Sequence, residues 1–382
     1  MEGKRNDVGL RFVLDPGVGD GGFLLWNEQV IPALINWLDP VVQHGLRHPI
    51  KYVRLIRRRA SSPQARGADG EGNRYSVQIV LEGHAFTKPK HEERGSDIIG
   101  LDIGPSTLAI VGREAQADLV TFCEELAPDT RKKRRLQRQM ERQRRANNPE
   151  NFDGKGRVKK HGKTRLLWRE SKRYQAARRA HATAERRLAA HRKSLHGKLA
   201  HDIVALGNTI SIEKTSFKGW QKQYGRSIGL RAPGLFVAHL KRLVAKTGGT
   251  LSEISAFKTK LSQYCHQCGR YVKKPRSQRW HHCACGCGPV QRDLYSGFLL
   301  AHLAPQQTIP SVTQHVWEGA EPRLRAVMEG LQQRANEGQC LPRSMGVVAP
   351  GGAARAGARR LESPAYPQQE PVDASVPRGS VE

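Results

Sequence analysis

Five of the seven cysteines are concentrated between Cys265 and Cys287, and this cluster limits the fold of the surrounding chain more than any other feature. The spacing is C-x2-C, then fourteen residues, then C-x-C. Zinc accepts four thiolates and has no d-electron preference, so a β-hairpin in the intervening segment can bring both pairs to one ion. Cys287 is the rival for one position, and the histidines at 281 and 282 stand close by. We expect structural Zn2+ held by Cys265, Cys268, Cys283 and Cys285.

The charge of the chain indicates its class of partner. The 382 residues carry a formal net charge of +29 at pH 7. Each Lys or Arg that meets a phosphate releases a condensed counterion, so the expected partner is a polyanion. No run of about 18 apolar residues occurs, the first residues lack the apolar core of a signal peptide, and the clustered thiols do not resemble a disulfide framework. These features predict a cytoplasmic protein that binds no membrane.

Residues 97–122 are patterned as a three-stranded meander. The run Ile98–Ile103 is apolar apart from a glycine and Asp102, and a turn at Gly104–Ser106 leads into a second strand at Thr107–Val111. A third strand is expected around Leu119–Phe122. An aspartate in such an apolar strand carries a large desolvation cost, so Asp102 needs a compensating partner.

Other parts of the chain also carry strand or helix patterns. Before the meander, residues 51–57 and 75–81 read as strands separated by a polar loop. After it, we expect strands at 208–213 and 250–255, and helices at 235–246, 293–302 and 322–337. The segment 342–382, rich in Gly, Ala, Pro, Arg and Ser, is expected to be disordered.

Residues 128–200 are dense in Arg, Lys, Ala and Gln and predict two helices, at 129–146 and 164–200, with a break between them. One interpretation is a solvated helical hairpin, because apolar residues are sparse. The other is an arm that follows a phosphate backbone, because acids are few. Trp168 and Tyr174 would stack on bases in the second case and anchor the hairpin in the first.

Three acids form the candidate catalytic set: Asp102 in a strand, Glu213 at a strand end and Asp293 at a helix start. Each has a simpler explanation. Asp102 could bond to the following turn, Glu213 could be solvated, and Asp293 could cap the helix. The D-x-G-x-S-T run also resembles the first loop of sugar kinases, whose other loops are not found here. Together the three carboxylates would hold two Mg2+ or Mn2+ ions about 3.5–4 Å apart, since hard oxygen ligands suit these ions and not zinc.

These motifs carry a family resemblance. Gly100–Gly104, Ile212–Glu213 and the cysteine tract that runs into Arg292–Asp293 resemble the three RuvC motifs of TnpB-type transposon nucleases and of the related type V CRISPR effectors. The order also matches: strand acid, basic helical insertion, second acid, cysteine ribbon, third acid. The resemblance covers residues 97–302 and, more weakly, a wedge-like region back to residue 8.

The resemblance implies the fold, the domains and the activity. The fold would be α/β, with an RNase H-like (RuvC) mixed sheet, a basic helical insertion and an inserted zinc ribbon, preceded by a partial β domain. The implied boundaries are a wedge-like domain at 1–96, shorter than the family's usual region, a nuclease core at 97–261 with its insertion at 128–200, a ribbon at 262–290, a last RuvC segment at 291–303 and a weakly structured tail at 304–382.

The implied activity is RNA-guided DNA cleavage by a transposon-encoded endonuclease. Asp102, Glu213 and Asp293 would be the catalytic, Mg2+-binding triad, with guide RNA and target DNA as partners. One alternative is a decayed relic of this family that binds RNA or DNA without cutting. Another is a DNA-binding regulator based on the zinc ribbon alone, which would leave Asp102 within an apolar strand unexplained.

Overall fold

The structure is a computed structural model and describes residues 9–14, 21–59, 73–83, 86–89, 94–114, 116–159, 166–275, 277–303 and 313–347. The chain divides into two compact units after Glu93. None of the helices in these ranges has both the length and the apolar character needed to cross a lipid bilayer.

The first unit contains two small antiparallel sheets. The hairpin expected around residues 51–57 and 75–81 is present, and its two strands pair from Ile50↔Leu81 to Arg59↔Asn73. Leu10, Phe12, Leu24 and Val53 form a small buried cluster. The elements of this unit are β1 (Leu10–Leu14), β2 (Gly21–Trp26), β3 (Gln29–Leu34), α1 (Pro40–Gly45), β4 (Ile50–Arg59) and β5 (Asn73–Leu81).

The second unit is built on one five-stranded mixed sheet. Its strands are β6 (Ile98–Ile103), β7 (Thr107–Gly112), β8 (Ala117–Thr121), β9 (Thr209–Glu213) and β10 (Thr250–Ile254). The spatial order is β10-β9-β6-β7-β8. β9 is parallel to β6 and to β10, whereas β7 is antiparallel to both of its neighbours. This order and these directions give the α/β, RNase H-like sheet expected from the sequence.

Seven helices and a short hairpin complete the described part of this unit. They are α2 (Thr130–Asn147), α3 (Lys172–Leu206), α4 (Phe217–Arg231), α5 (Pro233–Lys246), α6 (Ala256–Thr259), the paired strands β11 (Trp280–His281) and β12 (Val290–Gln291), α7 (Arg292–Ala301) and α8 (Thr313–Asn336).

The two faces of the sheet are covered by different helices. Ile99, Leu101 and Ile103 point to one face and pack in a core with apolar residues of α3 and α5. Residues of the other face, such as Ala109 and Val111, pack with α7 and α8. Burial on both sides explains why β6 and β7 read as nearly continuous apolar runs.

The basic helices form the expected hairpin, but the second helix is displaced toward the C-terminus and spans Lys172–Leu206, where 164–200 was expected. That helix begins at Lys172 and not at 164, because the Ser171 hydroxyl accepts the Tyr174 N–H at 3.2 Å and caps it. Leu136 is the buried residue of α2, so this helix is largely solvated. The Arg144 guanidinium lies 3.7 Å from the ring centroid of Trp168, which supports an anchoring role for this tryptophan.

Residues 313–347 are more ordered than expected. Helix α8 begins nine residues before Pro322, because Ala320, Leu324 and Met328 lie on one buried stripe that continues through the proline. Disorder from residue 342 is wrong for 342–347, where Met345 is buried and the Trp280 indole N–H donates to the Gly346 carbonyl at 3.2 Å. The rest of that segment, 348–382, lies outside the described residues.

Candidate functional site

The structure places the three predicted acids at one edge of the sheet. Asp102 is next to last in β6, and Glu213 ends the parallel neighbour β9. The register pairs Leu101 with Ile212. Asp102 and Glu213 each come one residue later, so they lie side by side at the carboxyl ends of adjacent parallel strands. Asp293 lies in the first turn of α7, which packs across β6.

Two glycines bring α7 unusually close to β6. A Cβ added to Gly100 would stand 2.0 Å from the Gly297 carbonyl oxygen and 2.5 Å from the Ala301 nitrogen. A Cβ added to Gly297 would stand 2.8 Å from a methyl group of Val111. Gly100 and Asp102 share a face of β6 because side chains alternate along a strand. The close contact therefore holds the first turn of α7 against Asp102.

The electrostatics of the site follow from this crowding. Burial raises the pKa of Asp102 well above its ordinary value, and the charges of Asp293 and Glu213 raise it further. The Arg292 guanidinium and a hydrogen bond from Ser296 act in the opposite direction on that pKa. Burial also raises the pKa of Glu213, to about 6. Desolvation and like charges thus both disfavour the ionised cluster.

The start of α7 is fixed by the two residues that precede Asp293. The Gln291 side-chain oxygen accepts the Leu294 N–H at 2.8 Å, and its amide donates to the Ser344 carbonyl at 3.3 Å. The Arg292 guanidinium lies 3.5 Å from the Asp293 carboxylate and donates to the Gln278 carbonyl at 3.0 Å. These bonds orient Asp293 before any ligand binds.

The carboxylate cluster has the chemistry of a divalent-cation site. Three carboxyl groups and one guanidinium lie together in a poorly solvated place, and hard oxygen ligands suit Mg2+ or Mn2+. Among the described residues, the groups of three or more ligand atoms that all lie within 4.8 Å of one another consist of thiols and one imidazole, so at least one pair of the three carboxylates stands farther apart than that. The residues present fit a divalent cation.

The structure also brings the four predicted thiols together. The sulfur atoms of Cys265 and Cys285 are 3.6 Å apart, and those of Cys268 and Cys283 are 3.5 Å apart. A tetrahedral ion with Zn–S bonds of about 2.3 Å requires sulfurs roughly 3.8 Å apart. The spacing is far too long for a disulfide, which is about 2.05 Å. These four residues fit zinc.

The rival thiol belongs to a second, more deeply buried group. Cys265, His281 and Cys287 also bring their ligand atoms within 4.8 Å of one another. The Nδ1 of His281 lies 2.9 Å from the Lys274 ammonium, and its Nε2 is buried without a hydrogen-bond partner. Burial, with the positive charge of Lys274, lowers the pKa of His281 to about 3, so this imidazole is neutral. Cys287 is thus grouped with Cys265 and His281 and is not a member of the four-thiol group.

The ribbon is joined to the carboxylate site through α7. The backbone N–H of His266, inside the first cysteine pair, donates to the Tyr295 hydroxyl at 2.9 Å. Tyr295 is fully buried and lies two residues after Asp293. The sequence alone identified neither this contact nor the hydrogen bond of Ser296 to Asp102. The helical spacing of Ser296, three residues after Asp293, was the available indication for the latter.

No protein-family model and no curated protein sequence matches this chain. Among solved structures, it is similar to a chain in the cryo-EM structure of the Cas12f1–sgRNA–target DNA complex, with a TM-score of 0.43 and 11% sequence identity. The match covers 77% of this chain and 61% of that chain, so this chain spans less than two thirds of the matched protein.

Proposed function

We propose that this protein is a Mg2+- or Mn2+-dependent DNA endonuclease that is guided by RNA and encoded by a transposon. The observation that carries the nuclease assignment is the convergence of Asp102, Glu213 and Asp293 at the carboxyl edge of an RNase H-like sheet. The RNA guide and the transposon origin rest on the sequence resemblance to TnpB-type nucleases.

In this proposal the three carboxylates hold two cations and the neighbouring residues hold the carboxylates. When bound, such ions activate water and stabilise the leaving oxygen of a phosphodiester. Ser296 orients Asp102 by its hydrogen bond, and Arg292 offsets part of the carboxylate charge. Because burial opposes ionisation of Asp102 and Glu213, a cation that binds them must stabilise their ionised forms.

The nucleic-acid substrate is supported by charge. The net charge of +29 is far beyond what a small anionic substrate requires. Helix α2 exposes most of its basic side chains and has a single buried residue, Leu136. A surface of this kind neutralises a phosphate backbone without reading its sequence. An RNA guide would supply the sequence specificity by base pairing.

The zinc ribbon has a structural role in this proposal. Cys265, Cys268, Cys283 and Cys285 would hold one Zn2+, and the folded ribbon would support α7 through Tyr295. Structural zinc contributes directly to the free energy of folding. Loss of the metal would therefore loosen the helix that carries Asp293.

The test uses the full chain expressed together with the DNA that flanks its coding sequence, so that any guide transcribed from the transposon is present. We expect RNA to co-purify and a duplex matched to that RNA to be cut in Mg2+ but not when Mg2+ and Mn2+ are omitted from the buffer. An unmatched duplex of the same length is the control. Equal cutting of both duplexes would contradict guidance by RNA. Retention of RNA without cutting in Mg2+ or Mn2+ would favour the binding relic.

A further inference from the structure

A cleft of about 780 Å³ lies beside the helical hairpin, and the proposed function as stated does not use it. One wall is formed by the beginning of α2 and the middle of α3, the other by the second half of α4. The volume is within the range of roughly 300–1,000 Å³ that is typical of small-molecule sites. The cleft is therefore large enough for a nucleotide.

The lining of the cleft is positively charged. Four cationic side chains, Lys133, Arg192, Arg226 and Arg231, face one acid, Glu185. Glu185 is already paired with the Lys133 ammonium at 2.7 Å. The remaining excess of positive charge favours an anionic ligand.

Two of these arginines hold the walls of the cleft together by hydrogen bonds. Arg192 donates to the carbonyl oxygens of Gly229 at 3.2 Å and Leu230 at 3.0 Å, which ties α3 to the end of α4. Arg231 donates to the Phe122 carbonyl at 2.7 Å and to the Ser227 hydroxyl at 2.9 Å. Arg226, by contrast, is exposed on the cleft side of α4. It is the arginine best placed to meet a phosphate.

The rim of the cleft carries an aromatic ring at a helix irregularity. Tyr224 has non-helical backbone angles (φ −121°, ψ 26°) in the middle of α4, and its side chain is 37% exposed. The ring of Trp220 packs against it at 6.4 Å with an interplanar angle of 77°. The next residue, Gly225, has open space where a Cβ would stand. Tyr224 is thus an exposed ring, held from one side, next to an unobstructed backbone.

The cleft is also tied to the turn that follows Asp102. The Ser227 hydroxyl, on the cleft side of α4, donates to the carbonyl oxygen of Pro105. Pro105 stands three residues after Asp102, at the carboxyl edge of the sheet where the acids converge. A nucleic-acid strand bound in the cleft would therefore run close to the carboxylate cluster.

We propose that this cleft is a binding subsite for single-stranded nucleic acid, in which one base stacks on Tyr224 and the adjoining phosphate meets Arg226. The inference deepens the proposed function and rests on it for the class of substrate. Base–aromatic stacking accepts any base, whereas a phosphate contact contributes to the salt dependence of binding. Tyr224 and Arg226 thus have separable effects.

The experiment measures binding without cleavage, using the zinc-loaded full chain in buffer without Mg2+ or Mn2+ and a fluorescent oligodeoxynucleotide over a range of salt concentrations. Tyr224→Ala is expected to weaken binding by about five- to a hundredfold with an unchanged salt slope, and Tyr224→Phe to bind like the parent. Arg226→Ala is expected to reduce the slope of log K against log salt by about one. The matched controls are Arg325→Ala at an exposed position of α8, which packs on the other face of the sheet, and Tyr75→Ala on β5.

A second readout locates the contact directly. An oligonucleotide that carries 5-iodouracil is expected to crosslink to Tyr224 on irradiation, as mapped by mass spectrometry. The proposal is overturned if Tyr224→Ala binds like the parent, or if both controls weaken binding as much as the cleft variants do. Because the assay contains no Mg2+ or Mn2+, it measures binding alone. The cleft proposal can therefore be refuted while guided cleavage is still observed, and it can be supported in a protein that does not cut.

Discussion

At the scale of single residues, the ionised carboxylates that cation binding requires lower the stability of the folded protein. Asp102 and Glu213 are gathered with Asp293 where burial disfavours their charged forms. Such a cluster is expected when a cation is the missing partner. The sequence could identify these acids because an aspartate in an apolar strand is costly. It could not identify Ser296 or Gln291, whose roles depend on which atoms α7 places near them.

The first prediction concerns the stability of the protein as a function of pH when no divalent cation is bound at the carboxylate site. The folded pKa of Glu213, about 6, lies above its ordinary value of 4.5, so folding favours the protonated form. Its contribution to stability is fully present below about pH 4.5 and is lost as the pH rises through 6. That shift of 1.5 units corresponds to about 2 kcal/mol.

At pH 8, in buffer that contains no Mg2+ or Mn2+ and leaves the ribbon zinc in place, Glu213→Gln and Asp102→Asn are each therefore expected to raise the free energy of unfolding, by about 2 kcal/mol for Glu213→Gln. At pH 4 the difference from the parent should nearly vanish for Glu213→Gln. Denaturant titrations at the two pH values measure this. Asp202→Asn, at an exposed position of α3, is the control and should change little. Destabilisation by Glu213→Gln at pH 8 would show that the site is not strained.

At the scale of elements, the contact of α7 with β6 decides where the third acid lies. The strands of the sheet were predictable because their apolar runs are short and bounded by turn residues. Helix α4 was not identified, since its three glycines and exposed polar residues weaken the helical pattern. The start of α8 at Thr313 was not predicted, because proline is more common at the first position of a helix and the sequence pattern therefore indicates a start at Pro322.

The second prediction tests the close packing of α7 on β6. Gly100→Ala would place a methyl group 2.0 Å from the Gly297 carbonyl, so α7 must move. We expect a loss of about 1–3 kcal/mol in the free energy of unfolding, and lower activity because Asp293 moves with the helix. Gly319→Ala in α8, where the added carbon meets open space, is the matched control. It should stabilise the protein slightly, and equal effects of the two changes would contradict the packing argument.

The third prediction separates the two thiol groups of the ribbon. Cys268→Ser removes a member of the four-thiol group alone, whereas Cys287→Ser removes a member of the inner group alone. We expect Cys268→Ser to lose zinc and to unfold at a lower temperature, and Cys287→Ser to keep one zinc per chain. Elemental analysis of the purified variants, with thermal melts, measures both. Loss of zinc from Cys287→Ser alone would transfer the ligand assignment to the inner group.

At the scale of the whole molecule, charge and topology point to the same class of partner. The net charge of +29 was readable from composition, and it predicts binding to nucleic acid that weakens steeply with salt. The mixed sheet with its parallel strand ends explains why three acids separated by up to 191 positions meet at one edge. Composition alone would fit any nucleic-acid-binding protein, so the acids carry the enzymatic proposal.

The measurement that tests this most directly compares cleavage of an RNA-matched duplex in Mg2+ by the parent and by Asp102→Asn, with Asp202→Asn as the control. The parent and the control are expected to cut. Asp102→Asn should be slower by about a thousandfold or more, because several kcal/mol of metal-dependent stabilisation is lost, while remaining folded and bound to RNA. Cleavage by Asp102→Asn at the parental rate would contradict the assignment of the carboxylate cluster as the catalytic site.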